Sequence, residues 1–187
     1  MVATKLPLRH FRRALILGLG IIALAACSGF SGKEPSIGMT LEFMNRGKDF
    51  IAVTRFDPDG LPGPVPGALG ASQTEGKQMS FMPGDSQLGL PAFVDVEWTI
   101  PNKDYWAWSA EMDKQAPQAR HSTKNREIYE RLWKANPSYT QRVDLTPIIT
   151  PELVTRVRAD RQNTQLKLTI IFNNDQVSIE AEARKWR

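Results

Sequence analysis

The chain has 187 residues, with 24 Lys+Arg against 20 Asp+Glu, two histidines and one cysteine. The single cysteine excludes a disulfide framework, and with His10 in the leader only His121 remains, so a metal site built on His and Cys is excluded too. Lys5, Arg9, Arg12 and Arg13 account for the whole positive excess; the rest of the chain is neutral overall and lacks the basic footprint of a nucleic-acid-binding domain.

Those four bases precede an apolar run from Ala14 to Ala26 that ends in Leu24-Ala25-Ala26-Cys27. The run is shorter than the roughly 20 residues that span a bilayer. Its basic flank and the small residues before Cys27 also argue against a buried core helix. A charged region, an apolar region and small residues before a cut are the parts of an export signal. With a cysteine at the cut, the stretch resembles a bacterial lipobox. That resemblance implies cleavage before Cys27, acylation of Cys27 and a membrane-tethered, periplasm-facing protein. Ser28 stands where an Asp would favour inner-membrane retention under enterobacterial sorting rules, so the outer membrane is the expected address. The expected organisation is a signal over 1–26, a lipidated cysteine with a flexible tether over 27–36, and a single domain over 37–187. The 161 residues after the signal suffice for one core that buries roughly 70% of the unfolded surface.

Residues 28–36, Ser-Gly-Phe-Ser-Gly-Lys-Glu-Pro-Ser, read as a flexible tether that fully extended reaches about 30 Å. Alternating residues over 37–44 and 49–56 predict two paired strands, with Asn45-Arg46-Gly47-Lys48 as their hairpin turn. Asp57-Pro58-Asp59-Gly60 has turn chemistry. Three prolines and three glycines in Leu61–Gly70 exclude helix and central strand. A short strand is expected over 77–82, stopped by Pro83-Gly84-Asp85.

Residues 92–100 are the clearest strand: Val94, Val96, Trp98 and Ile100 point one way, Asp95, Glu97 and Thr99 the other. Residues 122–136 predict a helix capped by Ser122 or Thr123, with Ile128, Tyr129, Leu132 and Trp133 as its apolar stripe, ended by Asn136-Pro137. A second helix starts at Thr150-Pro151-Glu152 and runs to about Arg161, burying Leu153, Val154 and Val157. At the C-terminus, Leu166, Leu168, Ile170 and Phe172, then Val177, Ile179, Ala181 and Ala183, alternate about Asn173-Asn174-Asp175 as a β-hairpin. The expected class is α+β: an antiparallel sheet with a C-terminal hairpin and two helices.

Charge is unevenly spread. Residues 33–113 hold twelve acids and six bases, residues 114–187 eight acids and fourteen bases. Attraction between the halves within one fold is one reading; a surface that selects a charged partner is the other.

No complete catalytic set emerges. Asp57, Asp59 and Gly60 resemble the first half of a calcium loop, but the later ligands are missing and Pro58 stiffens the turn. Neither Gly70-Ala71-Ser72-Gln73-Thr74 nor Gly84-Asp85-Ser86-Gln87-Leu88 matches the G-x-S-x-G nucleophile elbow. His121 stands at a basic helix start, a normal solvated position, and no phosphate or dinucleotide loop is present. The expectation is therefore a non-enzyme without cofactor or metal. Recognition candidates are Tyr105, Trp106 and Trp108, since Trp and Tyr are common interface anchors; packing over a sheet edge is the competing role. Pro64, Val65 and Leu69 in the Pro/Gly loop are the second set, because a pre-stiffened loop loses little entropy on docking. A passive connector is the competing role there.

A lipobox, a tether, a small α+β domain without a catalytic set, the strand Leu90-Pro91-Ala92-Phe93-Val94-Asp95-Val96-Glu97-Trp98 and the C-terminal hairpin together resemble small lipoproteins encoded beside type VI secretion lipase effectors. Those resemble immunity proteins. The resemblance implies a periplasmic lipoprotein that binds a secreted phospholipase effector and neutralises it by occlusion. The alternative is a structural or accessory lipoprotein of an envelope or secretion machine.

Overall fold

Every long strand of this chain carries apolar side chains on one face, and two four-stranded sheets bury those faces against each other. The computed structural model describes residues 36–83, 89–115 and 122–186. The strands are β1 (Met39–Asn45), β2 (Ile51–Pro58), β3 (Ala68–Leu69), β4 (Lys77–Phe81), β5 (Phe93–Thr99), β6 (Ser138–Asp144), β7 (Thr164–Asn173) and β8 (Gln176–Lys185). The helices are α1 (Lys103–Asp113), α2 (Thr123–Lys134) and α3 (Pro151–Ala159). One sheet has the order β4-β1-β7-β8, the other β3-β2-β5-β6. Their inner faces form one core in which Phe43 meets Phe56 edge-on at 5.1 Å and Trp98 meets Phe172 at 5.5 Å.

The α+β class and the C-terminal hairpin are present as expected, and the strands divide between two sheets. The expected hairpin over 37–44 and 49–56 is not. β1 and β2 stand in different sheets, and the chain crosses the sandwich between them. The physical reason lies in the apolar faces. Met39, Leu41 and Phe43 of β1 bury themselves against Ile51, Val53 and Phe56 across the core rather than beside them. Alternation reports which face is buried, not which neighbour pairs. β1 pairs instead with β7, in parallel, and with β4. Helix α1 and strand β6 were not expected.

Two devices finish the edges. The Asp59-Gly60 turn has positive φ at both residues (50° and 75°), and Asp59 Oδ1 accepts from the Ala92 N–H at 2.8 Å, tying the end of β2 to the start of β5. The Pro/Gly segment then runs back along β2: the Gly63 N–H donates to the Phe56 carbonyl and the Val53 N–H to the Gly67 carbonyl, both at 2.9 Å. A proline-rich strap on an open strand blocks further pairing. On the other side Gln141 holds edge strand β8, donating to the Val177 carbonyl and accepting from its N–H.

The sandwich has two distinct ends. Ser36 enters at the start of β1, where β7 also starts, where β2, β4, β6 and β8 finish, and where α3 lies against β7 and β8. At the opposite end lie the β1–β2 and β7–β8 turns and residues 100–115 and 122–137, which contain α1 and α2.

Candidate binding surface: an aromatic helical hairpin

Asn102 caps α1 by accepting from the backbone N–H groups of Asp104 and Tyr105, both at 3.0 Å. Ser122 caps α2 through the Asn125 N–H. The base of the hairpin is pinned where it leaves the sheet. The Asn102 N–H donates to Asn136 Oδ1 at 2.9 Å, and the Ile100 N–H donates to the Pro137 carbonyl. The one buried residue of α1 is Met112, and α2 has none. Neither helix is a core helix of the sandwich.

What the helices share is aromatic. Helical spacing puts Tyr105 and Trp108 on one face of α1 and Tyr129 and Trp133 on one face of α2. Tyr105 sits at the centre, 5.5 Å from Trp133, 6.2 Å from Tyr129 and 6.3 Å from Trp108. Tyr129 and Trp133 stack at 5.9 Å. Trp106 faces another way and meets Phe50, just before β2, at 4.8 Å and 90°. Six aromatic side chains therefore lie on one end of the domain, bridging hairpin and sandwich, and two remain well exposed: Trp106 at 40% and Tyr129 at 38%. The Trp108 indole N–H is shielded and finds no acceptor among the described residues.

The turn that carries Phe50 is fixed by Asn45, which is fully buried. Its Nδ2 donates to the carbonyls of Asp49 (2.7 Å) and Gly70 (2.9 Å), and its Oδ1 accepts from the Gly47 N–H. Beside it an open groove of about 420 Å³ is lined by Met44, Arg46, Ser72, Gln73 and Thr74.

The sequence candidates are placed as follows. Tyr105 and Trp108 are half-buried within the cluster, and Trp106 is exposed. Phe50, Tyr129 and Trp133 complete the patch. Phe50 read as a strand residue and the other two as a core-facing stripe, since a stripe marks a buried face without naming what buries it. In the Pro/Gly strap Val65 is exposed and Pro64 half-buried. Leu69 is corrected: it pairs with Ile51 inside the core and has no exposed surface, so it cannot touch a partner. Cys27, His121 and the Gly84–Leu88 segment lie outside the described residues.

Among the described residues no group of three or more His, Cys, Asp or Glu side chains converges. The carboxyl shifts that the structure imposes run downward. Burial alone would push Glu42 up. Hydrogen bonds from Lys167, Gln78 and the Gly76 N–H outweigh it and hold the group below its ordinary value. Asp95 is lowered by the paired hydrogen bonds of Arg142, Asp144 by the Thr146 hydroxyl and N–H, and Glu152 by its own N–H and Thr150 at the start of α3. These groups are ionised at neutral pH and hold structure; a general acid needs the opposite shift. Comparison with protein-family models, with curated proteins and with solved structures gives no match.

Proposed function

We propose that this chain is a membrane-tethered binding protein of the cell envelope whose working surface is the aromatic hairpin. The observation that carries this reading is the exposure of Trp106 and Tyr129 in a six-ring cluster at the end of the sandwich opposite the one where Ser36 enters. Large rigid aromatics bury much area at little entropic cost, and hot spots of interfaces are enriched in them. The lipobox ending in Cys27 supplies the anchor. The resemblance to lipoproteins encoded beside lipase effectors makes a secreted phospholipase the partner of choice, neutralised by occlusion and without turnover by this chain.

The test is affinity for the lipase-type product of a neighbouring reading frame. Trp106→Ala or Tyr129→Ala should each weaken binding by about 2 kcal/mol or more. Both side chains are exposed, so the melting temperature should shift by no more than a few degrees. Affinity unchanged in both variants would remove the hairpin as the interface. Binding only to an integral-membrane component of a secretion machine would favour the accessory-lipoprotein reading.

A further inference from the structure

The large apolar side chains that are exposed among the described residues gather mainly at the two ends of the sandwich. Trp106 and Tyr129 crown the far end; Leu61, Met82 and Leu90 lie at the end where Ser36 enters. Leu61 follows the Asp59-Gly60 turn at the end of β2, Leu90 precedes β5, and Met82 follows β4, whose Phe81 pairs with Met39 at the start of β1.

The same end has a basic corner. Helix α3 runs into it with Arg156 and Arg158 in its last turn, followed by Arg161. Beside them β8 finishes in Arg184 and Lys185, held by the Trp186 N–H donating to the Asn163 carbonyl at 2.8 Å. Arg158, Asp160, Arg161 and Gln162 line an open, polar crevice of about 230 Å³. The acid within it, Asp160, accepts from Asn163 Nδ2 at 2.8 Å. Part of this basic charge serves α3 itself, because cations stabilise a helix C-terminus. That role needs one or two bases in the last turn; it does not account for Arg161, Arg184 and Lys185. Of the other acids near this end, Glu152 stands in the first turn of α3, Glu182 of β8 lies 3.5 Å from Lys167 Nζ, Asp144 accepts from the Thr146 N–H and Asp59 from the Ala92 N–H.

We infer that the tether end of the sandwich is a lipid-facing surface, on which the basic corner of α3 and β8 engages anionic phospholipid headgroups while Met82, Leu61 and Leu90 contact the interface. Two arguments select this occupant. The charge is complementary to an anionic bilayer, where each basic side chain near the surface contributes about 1 kcal/mol, or about fivefold in affinity. The tether is nine residues, and it enters at this end. On the lipobox reading the bilayer is thus never more than about 30 Å from this surface. Only that setting rests on the proposed function; the lipid contact itself is made by residues of the folded domain.

The two sheets, the core and α3 lie entirely within residues 36–187, which form one compact unit. Residues 28–187, without the acylated cysteine, are therefore the protein to use. Co-sedimentation is measured with vesicles of phosphatidylcholine alone and of phosphatidylcholine with phosphatidylglycerol. Binding is expected to the anionic vesicles only, to weaken with salt and to survive 10 mM inorganic phosphate. Charge reversal in Arg156→Glu/Arg161→Glu should lower it at least thirtyfold, and the milder Arg156→Gln/Arg161→Gln should lower it by tenfold or more. Trp106→Ala should leave it unchanged. Equal binding to neutral and anionic vesicles, or wild-type binding by either double variant, overturns the inference. A failure of Cys27 to take up labelled fatty acid would count against the anchor without touching this result.

Discussion

Two buried polar residues hold more than their own strand in place. Asn45 joins the β1–β2 turn to the Gly70 loop with three side-chain hydrogen bonds and is reached at its own N–H by Gln73 Oε1. An apolar replacement would leave the Asp49 and Gly70 carbonyls and the Gly47 N–H without that partner, at about 1–3 kcal/mol for each group left buried and unsatisfied. Asn45→Ala is expected to destabilise the domain by about 3 kcal/mol, and also to release Phe50 from Trp106. Urea unfolding gives the first number; loss of the near-ultraviolet circular dichroism of the aromatic cluster reports the second. Asp in place of Asn45 would lose both donors and should be no better than Ala.

Glu42 is the second such residue. It lies on the outer face of its sheet, 7% exposed at the side chain, with Oε2 2.6 Å from Lys167 Nζ, which is itself 12% exposed. Gln78 Nε2 and the Gly76 N–H donate to its Oε1. Its folded pKa is lowered, so the stability it confers is present above the unfolded-state value near 4.3 and is lost as pH falls through the folded value. Glu42→Gln should therefore show a flatter decline of unfolding free energy between pH 5 and pH 3 than the wild type. At pH 7 it should be less stable by about 3 kcal/mol, because Lys167 keeps only the longer contact to Glu182. Equal slopes in acid would show that the carboxylate is not held as described.

At the scale of elements, the helices and strands that bury an alternating or helical stripe were legible: β5, β7, β8 and α3 read directly from Val94-Val96-Trp98, Leu166–Phe172, Val177–Ala183 and Leu153–Val157. Helix α1 was not, because its aromatics do not face the core. Its signal was the Asn102 cap with Asp104 in the first turn, and the run Tyr105-Trp106-Ala107-Trp108 drew attention away to its chemistry. β6 was hidden because its apolar face is only Tyr139 and Val143 between polar residues. The patch was half legible. Tyr105, Trp106 and Trp108 stand together in sequence, whereas Phe50, Tyr129 and Trp133 join them only through tertiary contact. Within the cluster, Trp108 carries a shielded indole N–H without an acceptor among the described residues. Phe keeps a ring against Tyr105 and Tyr129 and removes that donor, so Trp108→Phe should change stability by less than about 1 kcal/mol, the scale of one unsatisfied group. Trp108→Ala should cost about 2 kcal/mol, less than a core ring, because Trp108 is half-buried. Thermal denaturation of the two variants separates ring packing from hydrogen bonding, and equal losses would mean that the N–H is satisfied after all.

At the scale of the molecule, strand length separates two jobs. Ten residues of β7 at about 3.3 Å each put roughly 33 Å between the end where the tether enters and the hairpin. Sheets with a shared core hold that distance within the domain, so the proposed binding surface and the Ser36 end are well separated. Anchor and hairpin should then be separable. Cys27→Ser, purified as residues 27–187, is expected to bind the partner in solution with a dissociation constant within twofold of the acylated protein in detergent. In cells the same substitution should abolish fatty-acid labelling and move the domain out of the membrane fraction. On the proposed function, protection should weaken with it, because a tethered protein stays near the membrane on which a phospholipase acts and so has a higher effective concentration there. Retained labelling in Cys27→Ser would refute the lipobox reading. A large loss of affinity in solution would instead show that the anchor, or lipid bound with it, is part of the binding surface, and that the two ends do not act independently.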